Sequence, residues 1–272
     1  MWLNALGELV FVGLGLHDEM DVSLRGFKEI REAEAVFAEF YTSLMAGLSV
    51  RKLEKLTGKR VSVVSRRHLE EENGQMILQE AEKGKTVLLV SGDPLIATTH
   101  LDLRIRAEKL GIRTRVIHGA SIISAAIGLS GLQNYKFGRS VTVPFPEKGF
   151  ISETPYVVIK ENKKMRLHTL CFLDVKVEEG RYMTVKDGLQ TLLTVEKRKR
   201  NKVVTPNTLV IGIARAGSEK PVVKADYTED VMKYNLGKPP HTLIFPGKLH
   251  FMEAEALITL ANAPERIKGM VE

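Results

Sequence analysis

The stretch TVLLVSGDPLIATTH, residues 86–100, joins a run of β-formers to a loop with a glycine, an acid, a proline and two threonines. Its reading decides the fold. Short runs of the same apolar character recur along the chain as LVFVG (9–13), AVFAEF (35–40), TRVIH (114–118), HTLCFLD (168–174), TLVIGIA (208–214) and TLIFPG (242–247). Helical patterns separate them around 22–33, 69–82, 99–110, 121–130, 184–198 and 250–261. Near-continuous Val, Leu and Ile mark strands covered on both faces, which predicts an α/β fold with largely parallel pairing.

The segment 131–156 is rich in Gly, Pro and aromatic residues and poor in helix signals. It reads as the link between two α/β lobes and the start of the second. The expected domains are 1–120 and 121–272. A chain of 272 residues suits such a division.

Composition narrows the function classes. With 44% hydrophobic and 27% charged residues the chain reads as a soluble globular protein. A net charge of +7 leaves an acidic or RNA partner open, although 33 acids accompany the 40 Lys and Arg. A single Cys excludes a disulfide framework and a cysteine-based zinc site, and Cys171 inside HTLCFLDV reads as a small buried residue. The histidines, at 17, 68, 100, 118, 168, 241 and 250, contain no i, i+4 pair, so no metal site is expected. MWLNALGELVFVGLG lacks the basic region of a signal peptide and carries Glu8. No apolar run reaches the ~18 residues of a membrane span, so a cytoplasmic enzyme is the starting expectation. The basic run KRKRNK (197–202) follows a helical pattern; it reads either as a solvated helix end or as a docking site for an acidic partner.

Glycines recur just past the strands, in FVGLGLHD, LVSGDP, VIHGAS, IARAGS and IFPGKLH. Open α/β sheets bind ligands outside the carboxyl ends of their strands, where glycine lets a backbone come close. Two nucleotide motifs fail on spacing. Gly13-Leu14-Gly15 would need a third Gly at the position of Asp18, and Gly-Lys-Thr at 84–86 precedes a strand and has Gln79 where a phosphate loop has its leading Gly. Asp93 would also repel phosphate. An acid and strand-end carbonyls suit hydroxyls, amines or positive charge, all of which S-adenosylmethionine offers. Local chemistry leaves two roles for Asp93: capping the turn before Pro94, or touching a ligand. His241, after Pro239-Pro240 at the lip of a strand, reads equally as a hydrogen-bonded residue or a site residue.

Taken together, FVGLGLHDEMDVSLRG, VFAEFYTSLMAG, SGDPLIATTHLDLRIRA, HGASIISA, HTLCFLDV, IARAGS and PPHTLIFPGKLHFMEAE resemble the diphthine synthase family, the diphthamide branch of the tetrapyrrole-methylase superfamily. The resemblance runs from Leu9 to the C-terminus in the right order, and its wording is of the archaeal type. Tetrapyrrole-acting relatives would show a Gly-Pro-Gly-Asp-type loop after the first strand, where this chain has Gly13-Leu14-Gly15-Leu16. Met1 to Glu8 is a longer lead-in than the family's usual one.

The resemblance implies two α/β domains of the tetrapyrrole-methylase type, a homodimer, and S-adenosyl-L-methionine in the cleft between the domains. Its implied substrate is the 3-amino-3-carboxypropyl-modified histidine of translation elongation factor 2, and its product is S-adenosyl-L-homocysteine. Matched motif by motif, the cofactor positions fall on Leu16, Asp93, Ile96, Ser121, Ile122, Leu173, Ala216 and His241. No catalytic base is assigned. Glu39, Tyr41, Thr42, Ser43 and His100 are candidates for orienting substrate, with strand-end packing as the alternative for the first four. Two rival functions are a methyltransferase acting on a tetrapyrrole and a non-catalytic RNA-associated protein.

Overall fold

The apolar runs of the first half pair as expected, into one parallel sheet. The computed structural model describes residues 7–271, so most of the lead-in Met1–Glu8 lies outside the described residues. The chain divides into two units, one running through Ile122 and including Val177–Glu179, the other comprising Ile123–Lys176 and the chain from Gly180 onward.

The first unit runs β1 (Glu8–Gly13), α1 (Leu24–Glu32), β2 (Ala35–Glu39), α2 (Val50–Thr57), β3 (Ser62–Val64), α3 (Gln75–Lys83), β4 (Lys85–Val90), α4 (His100–Lys109) and β5 (Arg113–Ile117). The sheet order is β3-β2-β4-β1-β5, and every pairing is parallel. Alternation along β1 explains why its sequence is apolar throughout. Leu9 and Phe11 pack with Ile77, Leu78, Leu103 and Ala107 on one face, while Val10 and Val12 pack with Ile30, Leu53, Val87 and Leu89 on the other. Helices α1 and α2 start at Ser23 and Ser49, whose hydroxyls accept from Gly26 N and Lys52 N. α3 is shorter than the 69–82 pattern suggested. A separate turn over Arg67–Glu71 ends first, and Gly74, at φ +66°, starts the helix anew.

The second unit takes over within α5 (Ile122–Ser130) and continues through β6 (Val141–Val143), α6 (Thr154–Lys164), β7 (Thr169–Leu173), β8 (Val175–Lys176), β9 (Arg181–Tyr182), α7 (Val185–Lys199), β10 (Leu209–Ala214), β11 (Val222–Tyr227), α8 (Thr228–Val231), β12 (His241–Phe245) and α9 (Phe251–Ala261). Here the expectation of largely parallel pairing is corrected. In the order β11-β10-β12-β7-β6, three of the four pairings are antiparallel and only β6–β7 is parallel. The strands are buried either way, and burial, not direction, is what an apolar run reports. Cys171 is fully buried on β7 within a core that includes Tyr156, Leu189, Leu192, Val210 and Leu243, and burial pushes its thiol pKa up. No helix among the described residues is long and apolar enough to cross a membrane.

KRKRNK proves to be the end of α7. Lys197, Arg198 and Lys199 occupy its last turn, and Arg200 closes it in the left-handed region. Glu196 accepts from Lys202 N, Val203 N and Val204 N, which folds the chain back past the helix end.

Candidate active site

In the parallel sheet, the loops leaving β1, β4 and β5 come from adjacent strands and touch backbone to backbone. Gly15 N donates to Gly92 O (3.3 Å) and Gly92 N donates to Gly15 O (2.7 Å). A Cβ on Gly13 would lie 2.5 Å from Gly92 O and 2.6 Å from Gly119 N, so no side chain fits at this junction. The same edge therefore gathers Leu16, Asp93, Ile96, Ser121 and Ile122.

Asp93 is nearly buried and does two things at once. Its Oδ1 accepts from Leu95 N (3.1 Å), closing the turn over Pro94, and its Oδ2 pairs with His118 Nδ1 at 2.7 Å. The turn-capping role inferred from the sequence is real, and it leaves the second oxygen free for a different partner. His118, with its side chain 75% exposed, is a residue the sequence argument missed. Its signal was its place at the end of β5, directly before Gly119. Asp21 was missed as well. Its Oδ2 accepts from Leu16 N (2.9 Å) and His17 N (2.6 Å) and so fixes the turn on which Leu16 sits. Leu16, Ser121 and Ile122 are half-buried, whereas Ile96 is 43% exposed, an apolar side chain on the open side of the loop.

In the antiparallel sheet, strand direction collects the remaining three. β12 pairs with its neighbours so that Thr242 faces Phe172 and His241 faces Ala214. The end of β7 with Leu173, the exit of β10 toward Ala216, and the entry of β12 with His241 therefore share one sheet edge. His241 follows the cis Pro239–Pro240 bond and is nearly buried. Its Nδ1 accepts from Val185 N at the start of α7 (3.2 Å), and its Nε2 donates to Gly237 O (3.1 Å). Burial pushes its pKa down. It is a neutral imidazole with both nitrogens engaged, the hydrogen-bonded role.

The substrate-orienting candidates cluster beside the first edge. Glu39, at the end of β2, is fully buried; its Oε2 accepts from Tyr41 N and Thr42 N (3.1 Å each) and its Oε1 from Thr42 Oγ1 (2.5 Å). Tyr41 and His100 are buried too, while Thr42 and Ser43 are half-buried. Burial and the Glu39 charge push the Tyr41 phenol pKa up.

The first unit is thus an open parallel α/β sheet with a glycine-lined, acid-bearing crest, and the second is built on a mixed sheet. The profile described as "Tetrapyrrole (Corrin/Porphyrin) Methylases" matches residues 8–227. The chain is 53% identical over 269 residues to a diphthine synthase of Methanosarcina barkeri, covering 97% of this chain and 100% of the relative. It is 45% identical to that of Methanocaldococcus jannaschii, covering 92% and 97%. A crystal structure of diphthine synthase superposes with a TM-score of 0.89 at 41% identity, covering 97% of this chain and all of that one. The chain belongs to the tetrapyrrole methylase family and, within it, to the diphthine synthases, which makes it an S-adenosylmethionine-dependent methyltransferase.

Proposed function

We propose that the chain methylates the amino group of the 3-amino-3-carboxypropyl-modified histidine of translation elongation factor 2, giving diphthine in diphthamide biosynthesis, and that it works in the cytoplasm as a homodimer. The observation that carries this reading is the crest of the parallel sheet, where three loops meet at Gly13, Gly92 and Gly119 beside Asp93. The residues fit S-adenosylmethionine. Asp93 Oδ2, now on the exposed His118, suits ribose hydroxyls or positive charge, and the bare glycine backbone allows a ligand to approach closely. Leu16, Ile96 and Ile122 offer aliphatic surface, with Ser121 among them. Leu173, Ala216 and His241, on their own sheet edge, complete the proposed contacts. His241 would act there through the loop it fastens at Gly237.

When bound, the cofactor supplies a methyl group on a sulfonium, open to in-line displacement. The chain's part is alignment, which contributes roughly 7–11 kcal/mol in favourable cases. The substrate amine must be neutral to attack. With a pKa of about 8, as for a free α-amino group, losing its proton at pH 7 costs only ~1–2 kcal/mol. A strong base is not needed.

The test is incubation with S-adenosylmethionine labelled in its methyl group and elongation factor 2 carrying the modified histidine. Label on the factor is expected. Label that passes to a porphyrinoid and never to the factor would make the tetrapyrrole reading the correct one.

A further inference from the structure

The crest of the parallel sheet holds a nearly buried carboxylate whose charge meets one counter-ion. Leu95 N takes Oδ1 of Asp93, and Oδ2 lies 2.7 Å from His118 Nδ1. That is the one ion pair Asp93 makes among the described residues. An ionised carboxylate only accepts, so Nδ1 carries a proton in both charge states of the ring, and the ring changes charge at Nε2. Nε2 has no hydrogen-bond partner among the described residues, and the side chain is mostly exposed.

The two ends of this contact are held differently. Asp93 is fixed by burial and by the turn over Pro94, which would open if Oδ1 let go of Leu95 N. His118 follows the last residue of β5, makes no other side-chain bond, and can swing into water. Oδ2 is therefore the oxygen that can change partner, and the ring is the partner that can leave. Charge sets when it leaves. Above the range in which histidine titrates, a neutral ring gives Asp93 a donor but no cation, and a ligand that brings positive charge or hydroxyls is favoured. Below that range the imidazolium supplies the positive charge itself. Other titratable groups on the neighbouring elements are engaged elsewhere. After β1, Asp18 Oδ1 accepts from Met20 N, and Asp21 Oδ2 accepts from Leu16 N and His17 N. After β4, His100 faces Thr98, Pro94 and Glu39, and α5 carries no titratable residue.

We propose that His118 holds Asp93 Oδ2 in the free protein and yields it to S-adenosylmethionine, so that a proton on His118 and the cofactor compete for one carboxylate. His118 is a positioning residue that acts through Asp93. The assignment rests on reading Asp93 as a cofactor contact.

The experiment is calorimetry of S-adenosylmethionine binding between pH ~5.5 and ~7.5, below the titration of an α-amino group at about 8. In the ordinary histidine range about one ring in ten is neutral at pH ~5.5, so wild-type affinity should rise about 10-fold across this window. His118→Asn keeps an N–H for Oδ2 but takes no charge. It should bind about 10-fold more tightly than wild type at pH ~5.5 and show no slope. A flat wild-type profile, or a slope that persists in the variant, overturns the competition. If Asp93→Ala still weakens binding at pH ~7.5, that failure belongs to His118 alone and Asp93 stays in the site; unchanged affinity there removes both. Nitrogen-15 spectra of the cofactor-free protein should show the His118 ring protonated on Nδ1 throughout and on Nε2 only at the acid end. A neutral ring protonated on Nε2 overturns the proposal whatever the cofactor does.

Discussion

Two buried carboxylate–imidazole pairs, one in each unit, have the same chemistry and opposite character. In the second unit Glu253 and His168 are both fully buried, 2.9 Å apart. Every acceptor of that pair is filled. Glu253 also receives Gln133 N, Lys136 Nζ and His250 N, and His168 Nδ1 accepts from Gly247 N (2.9 Å). These contacts outweigh burial and hold the Glu253 carboxyl pKa at about 2. In the first unit, Glu39 and His100 stand 3.6 Å apart with Nε2 unpartnered, and Nδ1 faces a hydroxyl. A backbone N–H cannot be given up, so the first pair is a clamp. His100 Nδ1 instead faces the Pro94 carbonyl oxygen (3.2 Å) and the Thr98 hydroxyl (2.6 Å), so the second pair lacks the backbone donor that locks the first.

The comparison breaks most visibly at Glu253. Glu253→Gln should destabilise the protein by about 2–3 kcal/mol, because it removes the fully buried carboxylate charge that pairs with the half-buried Lys136 and with His168; denaturant unfolding checks this. The sign with pH follows from a depressed pKa. The stabilisation from Glu253 is fully present above its ordinary value of 4.5 and is lost as pH falls from there toward about 2. An acid titration of the wild type should show this loss, and the variant should not.

Asp93→Ala comes next. It removes a turn acceptor and the proposed cofactor contact, and calorimetry should find affinity for S-adenosylmethionine reduced by about 10–100-fold. Unchanged affinity would take Asp93 out of the site. His241→Ala should cost about 1–3 kcal/mol, since Val185 N loses its acceptor at the start of α7. The wild-type contribution from His241 is present above the ordinary histidine value of 6.5 and fades as pH falls, because burial lowers the folded pKa. The smallest effect belongs to the helix end. Arg198→Gln, on an exposed last turn, should change stability by less than about 0.5 kcal/mol.

Much of the fold was legible because burial writes itself into sequence as Val, Leu and Ile. All seven expected strands form. The missed elements carry weaker signals. β11 reads VVKADY, and its Lys224 and Asp226 pair with each other at 2.9 Å on an edge strand. α6 follows the Gly- and Pro-rich segment that masked it, although Pro155 in its first turn was a usable start signal. Strand direction in the second unit was not written in composition at all.

The site was legible in part for similar reasons. The local turn at Asp93 followed from its neighbours, two residues away. Its pairing with His118, 25 residues distant, depends on β4, β1 and β5 lying side by side. The Thr98–His100 contact is local, but Glu39 reaches His100 only through the fold.

The most direct test of the whole account is the mass of the target-histidine peptide of elongation factor 2, cleaved out after incubation with this protein and S-adenosylmethionine. The account predicts a gain in whole methyl steps, located on the amino nitrogen of the aminocarboxypropyl group. A peptide whose mass stays unchanged, while the protein demonstrably binds the cofactor, would contradict it.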